Sequence, residues 1–135
     1  MIAPRRSTFA AAVAVFWLTA GCESKPPEYM VTGRVQVDGQ PASGVYVVFT
    51  PTGDPELKVS NATRSKDDGS FTWHLTLPGE HAITAFWPEV LVSEDETTEG
   101  KDRLRGKFRD PRQPVLKVEI VEGENQLPLL ELSSK

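Results

Sequence analysis

Apolar and polar residues alternate along most of the chain that follows residue 28. In Val31–Val37, valine or glycine occupies every second position, and the positions between them are polar. This two-residue period is typical of a β-strand with one buried face. The same period predicts further strands in the segments 45–50, 62–64, 70–77, 81–87, 116–121 and 127–132.

Turn-forming residues separate the predicted strands. Asp-Gly at 38–39 and Pro-Gly at 78–79 are turn pairs, and the segments 66–69 and 123–126 are expected to be tight turns. The segment 89–100 is predicted to be an acidic loop. After residue 28, no window has the three- and four-residue apolar spacing of a helix. Short strands at near-regular spacing therefore predict an all-β fold, an antiparallel β-sandwich.

The N-terminal 21 residues have a different pattern. Arg5 and Arg6 precede an uncharged apolar run, Phe9–Ala20, and Gly21 follows it. A basic start, an apolar middle and small residues at the cleavage point form the layout of a secretory signal. The run is too short to span a bilayer, which needs about 20 apolar residues. We therefore predict an exported chain with a signal peptide at 1–21, a tether at 22–28 and a β-sandwich domain at 29–135.

Cys22 is the only cysteine and has no partner for an internal disulfide. The sequence LTAGC, Leu18–Cys22, resembles the lipobox of bacterial lipoproteins. The resemblance implies that the Cys22 thiol carries a diacylglyceryl group, that the signal is cut before it, and that the lipid holds the chain at a membrane. Glu23 stands where aspartate often signals retention in the inner membrane, so the outer membrane is favoured if there is one. The alternative is an ordinary signal peptide with an incidental cysteine.

Removal of the signal makes the chain more acidic. The whole chain has 15 basic and 19 acidic residues and a net charge of −4. Without Arg5 and Arg6, the chain has 13 basic and 19 acidic residues and a net charge of −6. Such a domain is a poor binder of nucleic acid and is repelled by anionic surfaces. Nucleic acid is therefore not an expected partner.

Three stretches resemble the carboxypeptidase regulatory-like domain: Val31–Pro51, Ala62–Phe71 and Leu77–Pro88. They follow its pattern of G-x-V, a turn and G-V-x-V, then T-x-x-D-G-x-F and P-G-x-Y. The stretch Gly106–Leu132 is similar to the tail of small secreted lipoproteins of this type. The resemblance implies a transthyretin-like, seven-stranded Greek-key β-sandwich. His81 replaces the tyrosine of the last motif, so its imidazole is expected to face the core.

These motifs specify a fold and not an activity. Transthyretin-like relatives include a hydrolase with a Y-R-G-S ending, whereas this chain ends in LSSK. The two histidines, His74 and His81, fall on opposite faces of their strands and are too few for a zinc site. The acidic residues between 94 and 102 lack the spacing of a calcium loop. We therefore expect no catalytic residues, no cofactor and no metal.

A run of basic residues follows the acidic loop. Every second residue is basic, at Lys101, Arg103, Arg105, Lys107 and Arg109. In an extended segment these side chains share one face, which predicts a site for a polyanion such as an anionic envelope polymer. The alternative is that they pair with the acidic loop or protect an exposed edge strand.

Three aromatic residues, Trp73, Phe86 and Trp87, are candidates for a sugar-stacking platform, with core or rim packing as the alternative for each. Trp87, just before Pro88, is the candidate for an exposed ring. Trp73 shares the inner face of its predicted strand with Phe71 and is expected in the core. The sequence thus predicts a structural or interaction module of the cell envelope that contacts protein or polysaccharide. Binding of an anionic glycan is the alternative function.

Overall fold

The computed structural model describes Ala3, residues 26–53 and residues 60–135. The predicted signal peptide, Cys22 and the segment 54–59 lie outside the described residues. The described residues contain no helix that is long and apolar enough to cross a bilayer.

Eleven strands form in the described part of the chain, and most of them match the predicted segments. In chain order they are β1 (Tyr29–Val37), β2 (Gln40–Pro41), β3 (Tyr46–Pro51), β4 (Asn61–Arg64), β5 (Ser70–Leu75), β6 (Gly79–Phe86), β7 (Pro88–Val92), β8 (Thr97–Asp102), β9 (Leu116–Ile120), β10 (Gly123–Gln126) and β11 (Leu130–Leu132).

The strands form two larger sheets and one hairpin. In the first sheet, β1 is central: β5 and β2 pair antiparallel with one edge, and β10 and β11 pair parallel with the other. The second sheet is antiparallel throughout, in the order β4-β3-β6-β9. Strands β7 and β8 form a separate two-stranded sheet. The prediction of an all-β sandwich is confirmed, and the pairing of β1 with the C-terminal strands makes its first sheet mixed.

The inward faces of the two larger sheets share one hydrophobic core. Phe49 of β3 and Phe71 of β5 lie with their ring centroids 6.3 Å apart. Leu104 enters the same core from the turn after β8 and is fully buried. His81 is also fully buried, as expected, with Nδ1 3.0 Å from the carbonyl oxygen of Gly79.

Three expectations about secondary structure and the core are wrong. The segment 123–126 is not a tight turn but strand β10, which runs parallel to Tyr29–Thr32 of β1, a pairing that local turn residues do not reveal. The segment 89–100 is not a loop: most of it forms the β7–β8 hairpin. The alternation of apolar and polar residues does not reveal this hairpin, because nearly all of its side chains are exposed. Trp73 is 36% exposed and does not lie in the core. Its strand, β5, is at an edge of the first sheet, where the neighbouring layer covers less of a large side chain.

The two ends of the sandwich carry different parts of the chain. Tyr29 of β1 lies beside Leu75 and Gly123, at what we call the N-terminal end, because the tether enters there. The opposite, distal end contains Val37, together with the β3–β6 pair Tyr46 and Phe86. Strand β1 has nine residues, so the two ends are about 30 Å apart at ~3.3 Å per residue.

Candidate functional site

An aromatic pair lies on the outer face of the second sheet at its distal end. Tyr46 and Phe86 are direct cross-strand partners, and their rings stack with centroids 4.7 Å apart and planes 11° from parallel. Tyr46 points outward because its neighbours Val45 and Val47 are fully buried in the core and successive side chains of a strand alternate. The pair is therefore fixed by the register of the sheet.

An arginine flanks each side of this aromatic pair. Arg64 of β4 is the cross-strand partner of Tyr46, and its guanidinium carbon lies 4.9 Å from the centroid of the ring. Arg109 lies over Phe86 at 4.6 Å. A backbone hydrogen bond positions Arg109, because the Ala85 N–H donates to the carbonyl of the preceding residue, Phe108, at 2.9 Å. Four side chains thus form one row, each cation–π contact contributing about 0.5–1 kcal/mol at an exposed site.

A third arginine stacks on Trp87, which follows β6 directly. The indole N–H of Trp87 donates to the Ser43 carbonyl at 2.9 Å, and the ring packs against the core. The guanidinium carbon of Arg103 lies 4.6 Å from the centroid of the ring. Trp87 is half-buried, and the arginine covers a face that a sugar would need for stacking.

The carboxylate of Asp102 holds the turn that carries Arg103. Its Oδ1 accepts the backbone N–H groups of Trp87 at 2.8 Å and Leu104 at 2.9 Å, and its Oδ2 accepts that of Gly106 at 3.0 Å. Arg105 and Gly106 have φ values of +58° and +72°, so the chain turns sharply here. The turn directs Leu104 into the core and Arg103 onto Trp87.

We call six residues the arginine–aromatic surface: Arg64, Arg103, Arg109, Tyr46, Phe86 and Trp87. Besides Asp102, which accepts the backbone N–H of Trp87, the carboxylate of Glu99 contacts this surface. The Tyr46 hydroxyl donates to Glu99 Oε1 at 2.5 Å, and this hydrogen bond raises the pKa of Tyr46. The one salt bridge within residues 26–53 and 60–135 joins Arg112 to Asp110.

The arrangement suits an anionic ligand. Stacking occupies the planar face of a guanidinium and leaves its N–H edges free. Those edges match carboxylate, phosphate and sulfate oxygens, with which they form paired, charge-assisted hydrogen bonds. The rings also restrict the arginine side chains, which lowers the entropy lost when a ligand binds.

The predicted basic row is divided by the fold. The run is not extended, because β8 ends at Asp102 and turns follow. Arg103 and Arg109 reach the surface described above, whereas Lys107 Nζ donates to the carbonyl of Lys135 at the C-terminus. Arg105 is exposed in the left-handed turn and stacks on no ring in the described structure. Whether any of these four residues binds a polyanion stays a prediction.

Sequence reasoning missed Arg64 and Tyr46 and considered Phe86 only for sugar stacking. Arg64, Tyr46 and Phe86 come from three strands, and only the register of β4, β3 and β6 places them in one row. The alternation of β3 does put Tyr46 on the outer face. No signal in a single sequence, however, indicates that β4 pairs with β3 at Arg64.

The two histidines have different environments. His74 is exposed on β5, whereas His81 is buried in β6 and its Nε2 has no hydrogen-bond partner among the described residues. In the same part of the chain, no group of three or more His, Cys, Asp or Glu residues is placed to hold a metal ion.

Comparisons with known proteins find resemblance only among solved structures: no family model and no curated protein matches the chain. A proposed carbohydrate-binding protein from Pseudomonas aeruginosa is 13% identical, with 79% of this chain and 88% of that chain covered and a TM-score of 0.40. The dioxygenase domain of a dioxygenase carbohydrate-binding protein fusion from Streptomyces sp. SirexAA-E is 15% identical, with 83% of each chain covered and a TM-score of 0.43. The 3-chlorocatechol 1,2-dioxygenase of Rhodococcus opacus 1CP is 15% identical, covering 83% of this chain and 59% of that one, with a TM-score of 0.32. These likenesses concern β-rich architecture alone.

Proposed function

We propose that this chain is a non-catalytic binding module of the cell envelope, and that its arginine–aromatic surface binds an acidic polysaccharide. One observation carries the proposal: three guanidinium groups are each stacked on an aromatic ring at 4.6–4.9 Å. No carboxylate of residues 26–53 and 60–135 forms a salt bridge with any of them. A ligand with repeated anionic groups satisfies all three guanidinium groups at once.

The stacked arginines favour acidic over neutral sugars. Sugar rings bind aromatic side chains through an open ring face, but Arg103 lies over Trp87. The rings of Tyr46 and Phe86 cover one another and are flanked by Arg64 and Arg109. The surface therefore presents N–H groups to a ligand, and the rings orient the arginines that donate them.

The position of the surface supports a polymer as the ligand, and not the headgroups of the anchoring membrane. We propose that the chain is exported and held by a lipid on Cys22, with the outer membrane favoured if there is one. The tether then joins the N-terminal end of the sandwich, where the Gly123 N–H donates to the Glu28 carbonyl at 2.8 Å. The arginine–aromatic surface lies at the distal end, about 30 Å farther from the lipid at ~3.3 Å per strand residue.

The fold also supports the family suggested by the sequence. We propose that the sandwich is of the carboxypeptidase regulatory-like, transthyretin-like type. Its two-sheet arrangement and the inward-facing His81 at the tyrosine position support this assignment. A module of this type needs no catalytic residues to act as a binding platform.

A titration with polygalacturonate, which has a carboxylate on each sugar, tests the binding proposal. We expect the full chain in non-ionic detergent to bind it and not to bind uncharged dextran, in isothermal titration calorimetry at ~0.15 M salt, where the Debye length is ~8 Å. Replacement of the three stacked arginines, R64Q/R103Q/R109Q, is expected to weaken binding at least tenfold, about 1.4 kcal/mol or more, because charge-assisted hydrogen bonds are lost.

The variant R34Q/R112Q/K117Q is the matched control. It removes the same charge from exposed residues outside the arginine–aromatic surface, and we expect binding within about threefold of the native chain because screened, distant charges contribute little. Equal weakening by both variants indicates general attraction to a polyanion and contradicts the assigned surface. Undiminished binding by R64Q/R103Q/R109Q contradicts it as well.

Mass spectrometry of the chain purified from its own membranes tests the lipid anchor. We expect a chain that begins at Cys22 and is heavier by a diacylglyceryl group, since the thiolate is the group that accepts the lipid. The variant Cys22→Ala is expected to lack this added mass. An unmodified Cys22 thiol, with residues 1–21 still attached, is the result that refutes the anchor.

A further inference from the structure

The β7–β8 hairpin has an acidic tip with exposed apolar residues beside it. The tip carries Glu94, Asp95 and Glu96, all exposed. On the preceding strand, Val90, Leu91 and Val92 are 47%, 51% and 78% exposed. Val90 and Val92 share one face of β7 and Leu91 lies on the other, so both faces of the hairpin present exposed apolar side chains that another molecule can cover.

The acidic tip lies at the far end of the hairpin from Trp87 and Arg103, which flank its base. Val92 is four residues beyond Pro88, so the end of β7 lies about 13 Å from the base of the hairpin at ~3.3 Å per residue. In the described structure the tip is closed by its own backbone, with the Ser93 N–H donating to the Glu96 carbonyl at 2.8 Å. None of the three tip carboxylates forms a salt bridge within residues 26–53 and 60–135.

We propose that the acidic tip docks on the arginine–aromatic surface of a second copy of this chain. Three carboxylates on a narrow turn meet three guanidinium groups whose N–H edges are free of salt bridges in the described structure. The match is of charge and number, and guanidinium–carboxylate pairs are the strong kind of charged hydrogen bond. Val92 beside the tip then covers the edges of the aromatic rings.

Each copy offers both a tip and an arginine–aromatic surface. The contact is therefore either exchanged reciprocally in a closed dimer or passed from copy to copy in a row. Copies anchored to one membrane are held at a high effective concentration, so a contact that is weak in solution suffices there. This inference goes beyond polysaccharide binding, and it makes an acidic polymer a competitor of the tip.

Sedimentation velocity of the full chain in non-ionic detergent tests the contact. We expect the sedimentation coefficient to rise with protein concentration at low salt and to stop rising near 1 M salt, where the Debye length is only ~3 Å. Reversal of the tip, E94K/D95K/E96K, and reversal of the surface, R64E/R103E/R109E, are each expected to weaken association about tenfold or more, since like charges then meet.

A mixture of the two reversed variants separates docking from damage to the fold. The tip variant has a basic tip and a basic surface, and the surface variant has an acidic tip and an acidic surface, so like charges meet when either is alone. In the mixture, the tip of each variant has the charge opposite to the surface of the other, so we expect association to return. Reversal of three exposed acidic residues elsewhere, E119K/E122K/E124K, is the control and is expected to leave association unchanged. The tip variant is also expected to keep its binding to polygalacturonate, which separates this proposal from the proposed function. A native chain that stays monomeric at low salt, or a mixture that does not associate, overturns the proposal.

Discussion

Replacement of Gly69 by alanine is expected to destabilise the fold by about 2–5 kcal/mol, the combined cost of a left-handed backbone and an overpacked site. Gly69 has a φ of +80°, in a region that L-residues rarely adopt. A Cβ at this position would lie 2.5 Å from the carbonyl oxygen of Val35. That oxygen belongs to the backbone of the central strand β1 and cannot move without disturbing the sheet. Equilibrium unfolding in urea measures the loss.

Gly39 provides the matched control for this substitution. It also has a φ of +80°, but a Cβ there would meet nothing within 4 Å. Gly39→Ala therefore carries only the conformational cost of about 1–2 kcal/mol. The difference between the two variants isolates the contact with β1. Equal losses of stability in Gly39→Ala and Gly69→Ala contradict the packing of the 66–69 turn against that strand.

Replacement of Leu104 by alanine is expected to cost about 2–5 kcal/mol, as for other leucines whose removal leaves a cavity in a core. Leu104 is fully buried although it lies in a turn. Its neighbour Arg103 stacks on Trp87, so loosening this turn also displaces one of the three stacked guanidinium groups. We therefore expect weaker binding of polygalacturonate at temperatures where the variant is still folded. Urea unfolding and calorimetric titration measure the two effects.

Leu129→Ala removes the same atoms from a site that is 43% exposed, and it serves as the control. We expect it to cost less than about 1 kcal/mol and to leave polymer binding unchanged, because exposed positions tolerate such changes. If Leu104→Ala behaves like Leu129→Ala, the turn is not anchored in the core. Loss of stability without loss of binding shows instead that Arg103 is positioned by Trp87 and Asp102 alone.

The strands that the sequence predicts are those with one buried face. Strand β1 shows a clear alternation because Val31, Val35 and Val37 enter the core while the residues between them do not. Strands β7 and β8 are exposed along nearly their whole length, so burial imposes no period on them. The pairing of β1 with β10 and β11 depends on contacts between segments that are far apart in the sequence. The local pattern of apolar and polar residues contains no information about such contacts.

The candidate site was predictable in part for a related reason. Arg103 and Arg109 stand out as members of a dense basic run, and Trp87 stands out before a proline. The extended geometry assumed for that run fails because Asp102 accepts three backbone N–H groups and bends the chain. Arg64 is a single charge at the end of a short strand. Its role becomes visible only when the register places it beside Tyr46.

The first strand of this fold depends on the last residues of the chain. One edge of β1 is completed by Gly123–Gln126 and Leu130–Leu132, so segments that are far apart in the sequence meet along a single strand. During synthesis, β1 leaves the ribosome well before the strands that complete its edge. The first sheet therefore cannot close until β11 has emerged, whereas β3, β4 and β6 of the second sheet emerge earlier.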